Sequence, residues 1–446
     1  MSRQAYGSRR RGDLSVSRLV SPQLGAAMLL VVAVTIVGLA AVPASAPVPL
    51  QMAYLGAGGS VWMTDAAGDE RVQLAEAQGF TSIEWAPDGE KLALVRGALS
   101  GDEGKEIHVV RADGSVMAEV VEGYAPVWSS DSQQILYVTN FSPSEDGTEQ
   151  ALKVFDLQDG SDSTLVTRRW VSGLWPIERL CWSPQDNMIA VYVAGLQMEG
   201  HFVILDRQGK VVWEIPDFVY SPDSFAWSPD GQHFVYRDSG EPFMGGEEPA
   251  LKIARAETQE IILSLSQAGF WPRWSPDGEK IAAFLWQEGG GFRVLIMDAE
   301  SGELPFQSDR VFGDIWNSRP IWSPDSSSLL FCSSEEGETQ VFLMDAHGAL
   351  SSIASGQHPD ASWSPDGTLI ALAVGEERTR EVYVVRADGS DLHKVTDGWM
   401  PRWRPPGASQ LPARQVCGLP ILGSSAAVGL AFAGTMALRR RLGNAA

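Results

Sequence analysis

The sequence predicts an all-β protein, a β-propeller of four-stranded blades, and three observations support this fold class. First, the stretch Trp-Ser-Pro-Asp-Gly recurs along the chain, intact at 227–231, 274–278 and 363–367 and altered elsewhere. Second, the tryptophans of successive copies lie 40 to 54 residues apart, which fits a blade repeat of about 40–45 residues. Third, short apolar runs bounded by turn residues follow the copies, as expected for strands.

The recurring stretch is predicted to join the first and second strands of each blade. Pro presets φ at the second position of a type I turn, Gly suits the fourth position, and Asp bonds nearby backbone amides. The Trp is expected to pack between neighbouring blades. The structural residues predicted on this basis are Trp85, Asp88, Trp227, Asp230, Trp274, Asp277, Trp322, Asp325, Trp363 and Asp366. A catalytic or metal-binding role for these Asp residues is the less favoured alternative, because the same Asp recurs in blade after blade.

The remaining strands of each blade follow the same order. An apolar second strand comes after the turn, as at 91–95 and 369–372. A third strand often ends in Asp-Gly, as at 107–114, where Gly accepts a positive φ cheaply. A more polar fourth strand precedes the next Trp, as at 115–121.

These residues resemble a known repeat. The Trp-Ser-Pro-Asp-Gly copies and the strand end Val-Tyr-Val-Val-Arg-Ala-Asp-Gly at 382–389 are similar to the TolB-type β-propeller repeat, a relative of WD repeats, over residues 51–406. The resemblance implies a propeller fold. Because TolB-like proteins act as envelope scaffolds, it also implies a scaffold role, although propellers host many functions.

The two ends of the repeat region are predicted to complete one another. Residues 52–73 form three strands without a Trp motif, whereas the copy at Trp403 is a first strand with nothing after it. Together they make one blade, which closes a ring of eight and removes the free sheet edges. A ring of seven blades is the alternative.

The regions outside the propeller indicate export and membrane attachment. Residues 1–46 combine five Arg, an apolar run and Ala-Ser-Ala, so they are expected to be a signal peptide or an N-terminal anchor. After the propeller at 47–406 come a linker at 407–415, a predicted transmembrane helix at 416–438 and a basic cytoplasmic tail at 439–446. Both ends therefore place the propeller on the extracytoplasmic side, periplasmic or extracellular.

The charge of the chain argues against nucleic-acid binding. Its formal net charge is −22 at pH 7, and both terminal regions are basic, so the acidic excess lies in the propeller. An acidic module repels phosphate backbones. The three cysteines imply no disulfide framework.

Side chains suited to recognition lie in the connections after the fourth strands. These connections share one face with the acidic loops after the second strands, at 101–106, 144–149, 241–248 and 334–338. Aromatic and Arg side chains are the usual anchors of a recognition surface. The predicted binding residues are Tyr124, Trp175, Arg179, Tyr220, Trp271, Arg273, Trp316, Arg319, Trp399 and Arg402. The alternative is that the aromatics cap the core and the charges solvate the rim.

No catalytic motif is recognisable. The six histidines show no metal-ligand spacing, and neither a Gly-x-Ser-x-Gly elbow nor a P-loop occurs. The sequence therefore predicts a non-enzymatic, membrane-anchored protein-interaction scaffold of the cell envelope, with a protein partner and no metal or other cofactor. A carbohydrate-active or other hydrolytic or lyase enzyme with acids at the pore face is the alternative. A third hypothesis, suggested by the acidic loops, is a calcium or ligand sensor.

Overall fold

A computed structural model describes residues 50–407, apart from 98–103, 145–146, 171–176, 195–199, 216–222, 239–249, 267–268, 314, 316–318, 336–337, 346, 357–359 and 376–379. The described residues form 33 β-strands in eight antiparallel sheets and one 3-10 helix, Ala57–Gly59. The eight-bladed all-β propeller is thereby confirmed, and the seven-bladed alternative is wrong.

The first four blades run from the closing sheet to residue 214. Blade I is the closing blade and contains strands from both ends of the repeat region, and blade III carries one additional short strand, β10. The strands are β1 (Gln51–Leu55), β2 (Val61–Asp65), β3 (Arg71–Ala75) and β33 (Trp399–Trp403) in blade I; β4 (Phe80–Trp85), β5 (Lys91–Arg96), β6 (Glu106–Arg111) and β7 (Val116–Glu122) in blade II; β8 (Tyr124–Trp128), β9 (Gln134–Val138), β10 (Ser142–Ser144), β11 (Gly147–Asp156) and β12 (Asp162–Trp170) in blade III; and β13 (Ile177–Trp182), β14 (Met188–Ala194), β15 (Gly200–Asp206) and β16 (Val211–Glu214) in blade IV.

The other four blades each contain four consecutive strands. They are β17 (Phe225–Trp227), β18 (His233–Asp238), β19 (Ala250–Arg255) and β20 (Ile261–Leu265) in blade V; β21 (Gly269–Trp274), β22 (Lys280–Trp286), β23 (Phe292–Asp298) and β24 (Phe306–Gln307) in blade VI; β25 (Ile321–Trp322), β26 (Ser328–Glu335), β27 (Glu338–Asp345) and β28 (Leu350–Ser355) in blade VII; and β29 (Asp360–Trp363), β30 (Leu369–Val374), β31 (Glu381–Arg386) and β32 (His393–Asp397) in blade VIII.

The first strand of each blade lies innermost and the fourth lies at the rim. All five residues of β8 are buried, whereas β20 is largely exposed. First strands of neighbouring blades contact one another, as β17 does β21 and β29 does β33. Side chains at the starts of the first strands are therefore brought towards the axis of the ring.

The ring closes where the two ends of the propeller meet. In blade I, Met52 pairs with Trp403 and Leu55 pairs with Trp399 in an antiparallel ladder. The backbone N–H of Arg404 donates to the carbonyl of Gln51 at 2.7 Å. The prediction that residues 52–73 and the Trp403 copy share one blade is confirmed, and this pairing removes two free edges.

The motif tryptophans join neighbouring blades. Six of the buried motif indoles donate from Nε1 to a backbone carbonyl in the first strand of the preceding blade, over 3.0 to 3.3 Å. The pairs are Trp85–Arg402, Trp128–Glu84, Trp274–Ala226, Trp322–Arg273, Trp363–Ile321 and Trp403–Ser362. Each indole therefore adds a directional bond to the apolar packing between blades.

The Ser and Asp of the motif hold the turn. Ser275 Oγ donates to Asp277 Oδ1 at 2.5 Å, and the same carboxylate oxygen accepts the N–H of Glu279 at 3.0 Å. Ser275 Oγ in turn accepts the N–H of Lys280 at 2.9 Å. The turns containing Asp230, Asp325 and Asp366 have the equivalent Ser-to-Asp bond, at 2.5, 2.6 and 2.6 Å. In each of these blades the recurring Asp therefore stabilises the turn through hydrogen bonds to its carboxylate.

Altered motif copies bond to the turn of the preceding blade. Ser132, Asp186 and Ser326 stand where other copies have Gly, and all three have positive φ, between 52° and 61°. Ser132 Oγ accepts the N–H of Asp88, and Ser326 Oγ accepts the N–H of Asp277. The Asp186 carboxylate accepts the N–H and hydroxyl of Ser130. The strain of a left-handed non-Gly residue is thereby offset by a bond between blades.

Candidate functional site

Four predicted binding arginines lie in innermost strands or just before one. Arg179 is in β13, Arg273 in β21 and Arg402 in β33, while Arg319 stands two residues before β25. They therefore come from blades IV, VI, I and VII.

Three of these arginines meet on one carboxylate that the sequence reasoning did not select. Asp223, just before β17 in blade V, contacts Nη1 of Arg179. Its other carboxylate oxygen, Oδ2, lies 2.9 Å from Nη2 of Arg319, and Arg273 Nη2 lies 3.5 Å from Oδ1. Arg273 Nη1 also donates to the Asp223 carbonyl at 3.2 Å. One Asp thus joins side chains from four consecutive blades, which is possible only because all of them point towards the ring axis.

The fourth arginine has its own acidic partner. Arg402 Nη1 donates to Asp360 Oδ2 at 3.0 Å, and Asp360 begins β29 of blade VIII. We call the whole group the arginine centre: Arg179, Asp223, Arg273, Arg319, Asp360 and Arg402. Among the described residues, its four cations and two anions leave an excess of two positive charges, inside a chain whose formal net charge is −22.

Burial makes this excess costly. Arg179 is 4% exposed, and its Nε has no hydrogen-bond partner among the described residues. Burial, then the charges of Arg319 and Arg273, hold the pKa of Arg179 well below its usual range. Burial and Arg319 lower the pKa of Arg273 to about 9. Burial, opposed by Asp360 and reinforced by Arg402, lowers the pKa of Arg319 to about 10. With pKa values of about 9 and 10, Arg273 and Arg319 remain charged at neutral pH. The lowered pKa values mean that the charged form of each arginine lacks some of the stabilisation it would have in water.

Bulges shape the innermost strands near the centre. Ala125, Trp271 and Met400 each stand three residues before a motif Trp, and each has positive φ, 51° to 57°. Strand pairing shifts register at these places, between Tyr124 and Val127 and between Phe270 and Arg273. A bulge re-aims the side chains that follow it. The bulge at Trp271 is therefore part of what directs Arg273 to Asp223.

Three of the predicted aromatic anchors, Tyr124, Trp271 and Trp399, lie in the described part of the chain, and they are buried or half-buried. Tyr124 is 1% exposed, with Gln150 Nε2 donating to its hydroxyl at 2.5 Å. Trp271 is 5% exposed and packs on Phe284 and Phe292. Trp399 is half-buried at the closing blade. For Tyr124 and Trp271 the structure places the side chains in the core, as the alternative reading expected. Trp175, Tyr220 and Trp316 lie outside the described residues.

Asp223 and Asp360 are not among the residues predicted from the sequence. Aligning the repeats on their Trp residues gives a signal for one of them. The position three residues before Trp is Arg179 in blade IV, Arg319 in blade VII and Asp360 in blade VIII. These three charged residues come from blades IV, VII and VIII, whereas the same position is Ser224 in blade V and Trp271 in blade VI. Asp223 is displaced from this position by one residue, so alignment alone would have missed it. Within the described ranges, no group of three His, Cys, Asp or Glu side chains is arranged to hold a metal ion.

Comparison with known proteins agrees with the repeat architecture. Residues 207–407 match the family model of the TolB beta propeller domain. Residues 207–407 are thus similar to a TolB-type β-propeller domain. The arginine centre lies mostly within the matched residues, and Arg179 precedes them.

The proteins and solved structures that are similar to this chain have unrelated names. Dipeptidyl-peptidase 5 of Porphyromonas gingivalis is 23% identical over 366 residues, covering 67% of this chain. The chain spans only 52% of that protein's length. The solved structure of dihydro-heme d1 dehydrogenase NirN is similar to this chain with a TM-score of 0.53 at 17% identity. The match covers 80% of this chain and 74% of the NirN chain. The crystal structure of a eukaryotic initiation factor has a TM-score of 0.52 at 12% identity. That match covers 81% of this chain and 99% of the initiation factor chain. At such identities the structures show a shared fold alone.

The structure does not test the predictions for the terminal segments. The signal peptide or anchor at 1–46, the transmembrane helix at 416–438 and the tail at 439–446 lie outside the described residues. Between residues 50 and 407, where the chain is described, there is no helix with the length and apolar character to cross a membrane.

Proposed function

We propose that this protein is an extracytoplasmic binding module, tethered to the membrane by residues 416–438, that engages a protein partner of the cell envelope. The observation that supports it is the arginine centre. Four blades deliver one buried arginine and three partly buried ones towards the ring axis, where, among the described residues, they exceed their acidic partners by two charges. Arg is the residue of choice for interface ion pairs and a frequent hot spot in protein interfaces.

The terminal sequences support the placement of this module. Arginines follow the apolar segment 416–438 directly, and the basic residues of 1–46 precede the first apolar run. Basic residues favour the cytoplasmic side, so both ends leave the propeller outside whether or not the first segment is cleaved.

A photocrosslinking experiment tests the partner. A photoreactive phenylalanine analogue replaces Trp399, which is half-buried on the first strand of the closing blade near Arg402. The matched control carries the analogue at Val211, 45% exposed on a fourth strand. In native membranes, position 399 should crosslink a discrete protein that position 211 does not. Absence of any crosslinked protein at 399, with export and melting temperature unchanged, would contradict the scaffold function.

The alternative function is that of a hydrolytic or carbohydrate-active enzyme. The similarity to a dipeptidyl-peptidase, over about two thirds of this chain, is the observation that favours it. The test is turnover of peptide and polysaccharide substrates by a soluble fragment, residues 47–406. Turnover that disappears when one acid of the acidic loops is replaced would establish the enzyme.

A further inference from the structure

The arginine centre has a specific unmet requirement. Asp223 supplies one carboxylate to three guanidinium groups, and the buried Nε of Arg179 has no hydrogen-bond partner within the described part of the chain. A buried donor without a partner costs on the order of 1–3 kcal/mol. An added anion would satisfy both the donor and the excess charge.

The geometry indicates which kind of anion fits. Asp223 shows that a planar carboxylate can receive guanidinium groups from several blades at once, with Arg319 at 2.9 Å. Arg presents a rigid fork of donors that matches a carboxylate with two bonds. Arg319 is the most accessible of the three, with 27% of its side chain exposed, so it is the point of entry from solvent.

We infer that Arg179, Arg273 and Arg319 form a carboxylate-binding site, and that its occupant is an acidic peptide segment of the partner protein. This inference rests on the proposed function, since it names the chemistry of the partner. A Glu or Asp side chain, or a chain terminus, would share the guanidinium groups with Asp223. The acidic surface elsewhere on the chain would repel such a segment from other approaches.

The test measures peptide binding by isothermal titration calorimetry with the full chain. The probes are a Glu-rich peptide, the same peptide with Gln for Glu, free glutarate and inorganic phosphate. The wild type should bind the Glu-rich peptide, more weakly as salt rises, and should bind the Gln peptide at least tenfold less well. Arg319→Gln should weaken Glu-peptide binding roughly tenfold or more, because bonds to charged groups are strong.

Arg255→Gln is the matched control, because Arg255 is an exposed arginine at the end of β19 that pairs with Glu260. It should bind as the wild type does, and Arg319→Lys should retain part of the affinity. Arg273→Gln serves as a second variant if Arg319→Gln melts early. Equal Glu-peptide binding by Arg319→Gln and the wild type would overturn the inference. Binding of glutarate or phosphate without the peptide would also overturn it. Either result would leave the proposed function standing if position 399 still crosslinks a protein.

Discussion

Replacing Trp403 by Ala should destabilise the whole propeller, because this residue belongs to the strand that closes the ring. Trp403 is 3% exposed, pairs with Met52 and donates to the Ser362 carbonyl at 3.2 Å. Truncating a buried Trp costs about 3–5 kcal/mol. Trp403→Phe, which keeps much of the apolar area but loses the indole bond, should cost about 1–3 kcal/mol.

The assay is urea unfolding of the full chain followed by circular dichroism. Trp363→Ala is the positive control, since Trp363 makes the same kind of bond, to Ile321, away from the closure. Leu392→Ala is the negative control, because Leu392 is 46% exposed and surface changes are usually within about 0.5 kcal/mol. If Trp363→Ala lowers the urea midpoint and Trp403→Ala leaves it unchanged, the terminal pairing does not contribute to stability and the closure argument fails.

Three further outcomes are expected from the turns. Gly89→Ala should lower the melting temperature more than Gly160→Ala: both residues have φ near 70°, but a Cβ on Gly89 would lie 2.4 Å from a backbone oxygen whereas Gly160 has open space. Ser326→Ala should cost more stability in urea than Ser326→Gly, because only Gly relieves the left-handed φ when the bond between blades is lost. The hydroxyl of the adjoining Ser323 lowers the pKa of Asp325 from its ordinary 3.8. The ionised Asp325 therefore stabilises the fold at pH values above 3.8, and this stabilisation is lost as the pH falls through the lower pKa of Asp325 in the folded state. In Ser323→Ala, which lacks the hydroxyl, the urea midpoint should fall less steeply in acid than in the wild type. Equal effects of the paired variants, or parallel acid profiles, would contradict the respective reasoning.

The repeat architecture could be predicted from local chemistry. Trp, Pro, Asp and Gly at fixed positions dictate a turn and a cross-blade anchor, and the unpaired strands at 52–73 require the partner found at Trp403. The orientation of the aromatics could not be predicted. The positive φ of Trp271 has no local sequence signal, and that bulge decides that the indole packs inward while Arg273 reaches Asp223. A contact that joins four blades depends on the curvature of the ring, which no single repeat contains.

The composition of the arginine centre argues for binding over structural support. Buried ion pairs are weak contributors to stability, and well-packed apolar side chains of similar volume often serve as well or better. Here the case for a structural role is weaker still, because three cations share Asp223 and their pKa values fall as burial and mutual repulsion disfavour the charged forms. Stability alone therefore does not account for placing Arg179, Arg273 and Arg319 together. The proposed anionic partner would account for it, because it would convert the repulsion within the centre into attraction across an interface.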